Sequence, residues 1–235
     1  MPRNEFDQPI GTALPRWSPR LAPEPARLSG RWCSLVSLDG ADLDRLYDVL
    51  AVDAPPSLWT YLSGGPFSDR AGFDDYLGQL RELGHPMVVL APDEVGIACF
   101  LNTAVQHGST EVGAVSWAPA LQRTTAATEA VLLMMRHAFD DLGYRRFEWK
   151  CDSLNEPSCR AAVRLGFTAE GTFRNAVVYK GRSRDTAWFS ITDAEWQQLR
   201  PAYDAWLDPD NFDDSGRQRR SLAQLRAVSP PAARR

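Results

Sequence analysis

The chain has 235 residues, 44% hydrophobic and 24% charged, with a formal net charge of -4. This length fits one domain with extensions and supports a sizeable core. The balance lacks the basic excess that non-specific nucleic-acid binding needs. No apolar run approaches the ~18 residues of a membrane helix, so no membrane span is expected. Cys33, Cys99, Cys151 and Cys159 form no C-x-x-C pair. With no secretory leader in view, they read as buried, reduced thiols of a cytoplasmic protein. His85, His107 and His137 are scattered. They match no metal-ligand spacing, so no metal is expected.

The first thirty residues hold Pro2, Pro9, Pro15, Pro19, Pro23 and Pro25. Proline blocks regular ladders, so residues 1–30 read as an extended arm, wrapped or loose, with Leu14 and Trp17 as anchors. "RWCSLVSL" from Arg31 reads as the first strand. "ADLDRLYDVLA" from Ala41 and "FDDYLGQLREL" from Phe73 have helical spacing. "PMVVLAP" is a strand, turning at Asp93-Glu94 into the strand "VGIACFLNTAV". A break at His107-Gly108-Ser109 precedes the strand "EVGAVSWAP".

A long helix follows from Thr124. Ala127, Ala130, Val131, Met134, Met135, Ala138, Phe139 and Leu142 make one buried stripe, and Gly143 supplies a C-terminal stop. "RRFEWKCDSL" alternates as a strand. Asn155 then caps a short helix that ends at Gly166. Two strands follow, joined at Lys180-Gly181-Arg182. The last helix, "DAEWQQLRPAYDAWL", has Pro201 inside it and should kink or break there. From Asp208 onward an acidic and then basic tail reads as solvated or docked on a partner. Residues 193–235 thus form a C-terminal extension. The element order predicts a mixed α+β layered sheet, antiparallel at first, with a helix crossover.

"ALQRTTAATEA", from Ala120, lies between a strand and that long helix. Free N–H groups at a helix start can hold a phosphate, while Thr124 or Thr125 can equally serve only as a cap. "EVG", this turn, "ATEA", "LGY", "N-x-x-S", "LGF-x-x-EG-x-x-R" and "G-x-x-x-D" follow in family order. Over roughly Arg31 to Ile191 they resemble the GNAT superfamily of acyl-CoA-dependent N-acetyltransferases, in its RimJ/RimL-like branch.

The resemblance implies an acetyltransferase domain over 31–192. Its central sheet would be mostly antiparallel and split at a V-shaped gap, with helices on both faces. Acetyl-CoA would be the co-substrate and an amine the acceptor, and a homodimer is compatible with it. Backbone groups of Val115, Ser116 and Trp117 would bond the pantetheine arm. The amides of Gln122, Arg123, Thr124, Thr125, Ala126 and Ala127 would hold the pyrophosphate. Asn155 would reach the pantetheine, and Ser158 would protonate the leaving thiolate. Transfer would be direct, with the oxyanion on a backbone N–H near Ser116.

Thr125 stands where relatives carry the central glycine of the turn. Thr cannot take positive φ cheaply, so a turn with negative φ throughout is expected. Relatives' glutamate aligns with Val177 and their tyrosine with Phe189. The remaining candidate bases are Glu111, then Asp152. Asp185 reads as a partner of Arg182 or Arg184. A free α-amine, with a pKa of about 8 against about 10.4 for lysine, needs less help from a base. The reading is therefore an N-acetyltransferase acting on a protein N-terminus or small amine. Its alternative is a non-catalytic acyl-CoA-binding module acting through a partner. Trp59, Tyr61, Phe67 and Phe73 either line the acceptor site or are core.

Overall fold

The first ladder of the computed structural model, which describes residues 1–92 and 94–228, is a short hairpin of Arg27–Ser29 (β1) and Ser34–Ser37 (β2). The strand expected from Arg31 thus starts at Ser34, and a further strand lies inside the proline-rich segment. The cause is Glu129, whose carboxylate accepts from the amides of Arg31, Trp32 and Cys33 at 2.9, 2.6 and 2.9 Å. Those N–H groups leave the ladder for a turn. The arm before it is wrapped. Trp17 Nε1 donates to the Gln106 carbonyl at 2.9 Å and the Arg20 amide to that of Val105 at 3.0 Å. Leu14, the other expected anchor, stays 47% exposed.

Asp42 caps α1 (Leu43–Tyr47), which a π-helical turn extends to Val52. Asp69 caps α2 (Arg70–Leu83), so this helix starts before the expected Phe73. β3 (Gly84–Ala91), β4 (Glu94–Ala104) and β5 (Ser109–Trp117) form an antiparallel meander. Glu94 already pairs with Ala91, so the turn precedes it; Asp93 lies outside the described residues.

Thr124 caps α3 (Thr125–Arg136), and a π-helical turn carries it to Asp141. Gly143, at φ 67°, ends it. The expected one-sided stripe is too narrow. Every residue from Ala126 to Met135 is buried, Thr128 and Glu129 included, because β1, β5 and α5 (Asp193–Leu207) all pack on this helix.

β6 (Arg146–Asp152), α4 (Glu156–Arg164), β7 (Thr168–Tyr179) and β8 (Arg182–Thr192) complete the sheet. The strand order is β1-β2-β3-β4-β5-β6-β8-β7, antiparallel except at β5–β6. There Ser109–Glu111 faces Arg146–Glu148, and beyond that the two strands share no pairs. The sheet therefore opens into a V between the second halves of β5 and β6.

Alternation along the strands divides the core. Val88 and Ile97 pack with Leu46, Phe73 and Tyr76 under α1 and α2. Met87, Val89, Phe147 and Ile191 pack with α3 and α5 on the other face. α5 runs through Pro201 without the break that proline could have caused there. Tyr203 and Trp206 beyond it are buried. At about 1.5–3 kcal/mol per large side chain, their burial outweighs the ~3 kcal/mol cost of an interior proline. The tail from Asp208 to Val228 folds back on its own domain. Asn211 Nδ2 donates to the carbonyls of Trp206 and Arg220 at 3.0 and 3.1 Å. Leu222 and Leu225 of α6 (Leu222–Val228) join the core.

Candidate active site

The segment between β5 and α3 is a tight reversal anchored by the fully buried Leu121. Its turn does not keep negative φ throughout, as expected, because Arg123 sits at φ 62°. That residue turns the chain so that Thr124 reaches the extended geometry of an N-cap, with φ -88° and ψ 167°. Thr125 is then the first helical residue and needs no left-handed conformation.

Three of the expected amides are engaged internally. Gln122 N–H donates to Ala118 and Pro119 carbonyls, Thr124 N–H to that of Leu121, and Ala127 N–H to Thr124 Oγ1 at 3.1 Å. The amides of Arg123, Thr125 and Ala126 keep no partner among the described residues. Free N–H groups at the positive end of a helix dipole form an anion seat.

β5 leads to this seat with one edge on β4 and its other edge, past Glu111, on the gap. Ile97 faces Ser116 but Cys99 faces Gly113, so β5 carries a bulge. Its extra residue is Ala114 at φ 50°, and Ser116 Oγ donates to the Ala114 carbonyl at 3.1 Å. A bulge re-aims backbone groups where a site needs them. Sequence reading missed it. The available signal was Val112 and Val115, three apart, both packing on the α3 side. Beside Ser116 lies the buried Tyr76 hydroxyl, without a hydrogen-bond partner among the described residues. Burial pushes its phenol up to about 12.

Across the gap, Asn155 Oδ1 accepts from the Ser158 amide at 3.2 Å and caps α4. Ser158 Oγ accepts from Trp149 Nε1 at 3.0 Å, and its own hydroxyl faces the Cys151 thiol. Cys151 lies next to it, with Cys159 Sγ 3.5 Å from its sulfur.

Glu111 stands at the apex of the V, where β5 and β6 last pair. It is 5% exposed rather than on an open strand edge. Oε2 accepts from Asn102 Nδ2 at 2.7 Å and meets Lys150 Nζ at 2.9 Å. Oε1 has no hydrogen-bond partner among the described residues and overlooks Gly113, where an added Cβ would lie 3.0 Å away. Asn102 reaches it from a left-handed position, φ 47°, at an irregularity in β4. Lys150 also meets Glu148 at 2.7 Å and stacks 4.0 Å from the Trp188 ring. Burial lowers its ammonium pKa, but Glu111 and Glu148 outweigh burial and hold it above the ordinary lysine value. Asp152 has both oxygens engaged, accepting from the Leu154 amide at 2.9 Å and the Tyr179 hydroxyl at 2.7 Å. Asp185 accepts from the Asn175 amide at 2.7 Å instead of pairing with Arg182 or Arg184.

The β7–β8 hairpin closes the other side. Lys180 Nζ donates to the Trp59 and Gly64 carbonyls, both at 2.6 Å, and Arg182 to that of Thr60 at 2.9 Å. Trp59 and Phe73 are buried core residues in an edge-to-face cluster with Phe67. Tyr61 is half-buried. Phe189 is buried.

With this geometry in place, the comparisons assign the class. The acetyltransferase (GNAT) domain family matches residues 34–168, and the chain belongs to that family as an N-acetyltransferase. A GCN5-related N-acetyltransferase from Brucella melitensis is similar at 39% identity, with TM-score 0.86 over 91% of this chain and 100% of that one. A GNAT-family protein from Chromobacterium violaceum matches at 38% identity and TM-score 0.73, over 81% and 98%. N-acetyltransferase p20 of Bacillus licheniformis is 28% identical over 60% of this chain and 83% of its own length. RimL, a ribosomal L7/L12 α-N-protein acetyltransferase solved with coenzyme A, shares the fold at 18% identity and TM-score 0.58, over 72% and 96%.

Proposed function

We propose that the chain transfers acetyl from acetyl-CoA directly to a primary amine, in the manner of the RimJ/RimL-like branch. The carrying observation is the unpaired edge of β5, which ends at the free amides of Arg123, Thr125 and Ala126. A linear ligand with a polyamide arm and a pyrophosphate fits that sequence of donors and acceptors. In this reading Val115, Ser116 and Trp117 extend the ladder to the arm, Asn155 meets it from α4, and the three amides receive the phosphates.

The bulge at Ala114 directs a backbone N–H near Ser116 toward the developing oxyanion. Glu111 Oε1 accepts the amine proton, while Asn102 and Lys150 fix the other oxygen. Asp152 ranks below it because both its oxygens are occupied. The amine nitrogen bonds to the acyl carbon, the C–S bond breaks, and the Ser158 O–H donates its proton to the sulfur. Amines of low pKa, partly neutral near pH 7, need the least help from a base. A protein α-amine, at about 8, fits better than a lysine at about 10.4.

Thiol release from acetyl-CoA, screened against peptides with free α-amines, lysine peptides and small amines, tests the reading. Turnover on α-amines exceeding that on matched lysines is expected. Faster turnover on lysines sinks the substrate preference. CoA binding without turnover on any amine sinks the catalytic reading.

A further inference from the structure

We propose that Cys151 and Cys159 form a reversible disulfide that closes the Ser158 end of the gap. The bond itself stands on thiol geometry, whereas its effect on coenzyme A rests on the reading of Asn155 and Ser158 given above. The two sulfurs are 3.5 Å apart and both are free thiols. A disulfide needs about 2.05 Å, within reach of a side-chain rotation and a small shift of α4. One sulfur comes from a strand and the other from the helix that follows it. Cys33 and Cys99 have other surroundings: Cys33 Sγ lies 3.4 Å from the Ala126 carbonyl and Cys99 Sγ 3.9 Å from that of Leu80.

The two partners are unequal in a useful way. Cys159 is half-buried, whereas the other three cysteines are buried. It therefore meets a small oxidant first. Burial pushes the Cys151 thiol up to about 12, which keeps it protonated and slow toward a free oxidant. With hydrogen peroxide as the oxidant, the Cys159 sulfur attacks one peroxide oxygen. The O–O bond breaks, water leaves with the thiol proton, and a sulfenic acid remains. The Cys151 sulfur then attacks the Cys159 sulfur, the S–O bond breaks, and a second water leaves with the Cys151 proton. Two thiols are oxidised to one disulfide and one peroxide is reduced to two waters.

The segment between the two cysteines carries Asp152 at the end of β6, Asn155 as the cap of α4 and Ser158 in its first turn. Ser158 Oγ is held by Trp149 on the same strand as Cys151. Drawing the sulfurs to bonding distance pulls the first turn of α4 onto β6, displacing the groups that Asn155 and Ser158 present to the gap.

The full chain is treated with hydrogen peroxide, quenched by alkylation and mapped by mass spectrometry. A cross-linked peptide joining Cys151 to Cys159, cleaved by dithiothreitol, is expected, with Cys33 and Cys99 still alkylated after unfolding. Calorimetry with coenzyme A should show at least a tenfold loss of affinity that dithiothreitol restores, and Cys159→Ser should keep its affinity in peroxide. A Cys159 sulfinic acid without cross-link, or a cross-link to Cys33 or Cys99, overturns the proposal. Full coenzyme A affinity in the cross-linked chain overturns the closure. If the reduced chain binds no coenzyme A, the site reading fails, and the peptide map still decides the disulfide.

Discussion

Glu129 of α3 holds the turn at Trp32 through a 2.6 Å bond from the Trp32 amide, and the Arg31 and Cys33 amides share the same carboxylate. The carboxylate is 3% exposed. Three backbone donors in one concavity supply the solvation that water would otherwise give. The pairing ties the N-terminal hairpin to the helix that begins at the anion seat.

Glu129→Ala leaves those donors without a partner, at about 1–3 kcal/mol for each buried group. Urea unfolding should show a loss of roughly 3 kcal/mol or more. A loss below ~1 kcal/mol would mean that water replaces the carboxylate.

Arg123 separates backbone from side-chain roles at the turn. Arg123→Gly keeps positive φ available and relieves about 1 kcal/mol of left-handed cost. Arg123→Pro forbids that φ and removes a free amide. Coenzyme A affinity should stay within a few-fold for glycine and fall more than tenfold for proline. Equal losses would assign the contact to the guanidinium.

Ser158→Ala removes the proposed proton donor. Steady-state kinetics should show kcat lower by about 100-fold, the lower end of general-acid effects, with KM for acetyl-CoA little changed. Wild-type kcat would remove Ser158 from the chemistry.

Lys180→Met unties the β7–β8 hairpin from the loop carrying Trp59 and Gly64. KM for the amine should rise about tenfold while KM for acetyl-CoA holds, as misplacement on one side of the site predicts. A parallel rise in both would point to general loosening.

Glu170 gives a pH signature. Arg146, at 2.7 Å, holds its carboxyl below the usual value. A folded pKa below the unfolded one means that the charged form favours the fold. The contribution is complete above about pH 4.3, the ordinary glutamate value, and fades as pH falls through the lower folded value. The Tm difference between wild type and Glu170→Gln should therefore be constant near neutrality and shrink only in acid. A difference that persists unchanged through acid would detach it from ionisation. Partial exposure of the pair keeps the effect small.

The succession of the main strands and helices along the chain was legible because it rests on local signals. Period-two alternation marks β6, and the caps at Thr124 and Asn155 stand at helix starts. Less legible features depend on partners distant in sequence. The strand expected from Arg31 yields to Glu129, far along the chain. Pro201 stays in a helix because Tyr203 and Trp206 find a core to enter. At the site, the family resemblance points to Ser158, and residue type alone makes Glu111 a candidate beside Asp152. The choice of Oε1 as the free oxygen needed Asn102 and Lys150, brought in from β4 and β6. Tyr179 was not legible because its partner Asp152 lies on β6, with α4 between them in sequence and β8 between them in the sheet. Negative φ through the turn was a sound inference about Thr125, but Arg123 was the residue that turned.

The parallel pairing of β5 with β6 stops after Glu111 and Glu148. Past that point, backbone donors and acceptors on both strands lack the rung a neighbouring strand would provide. A ligand laid there becomes the missing rung and couples two half-sheets that otherwise meet at one narrow junction. Saturating coenzyme A at 100 times its Kd adds about 2.7 kcal/mol to stability by mass action. Amide exchange should slow together in β4 and in β8, though neither strand touches the ligand.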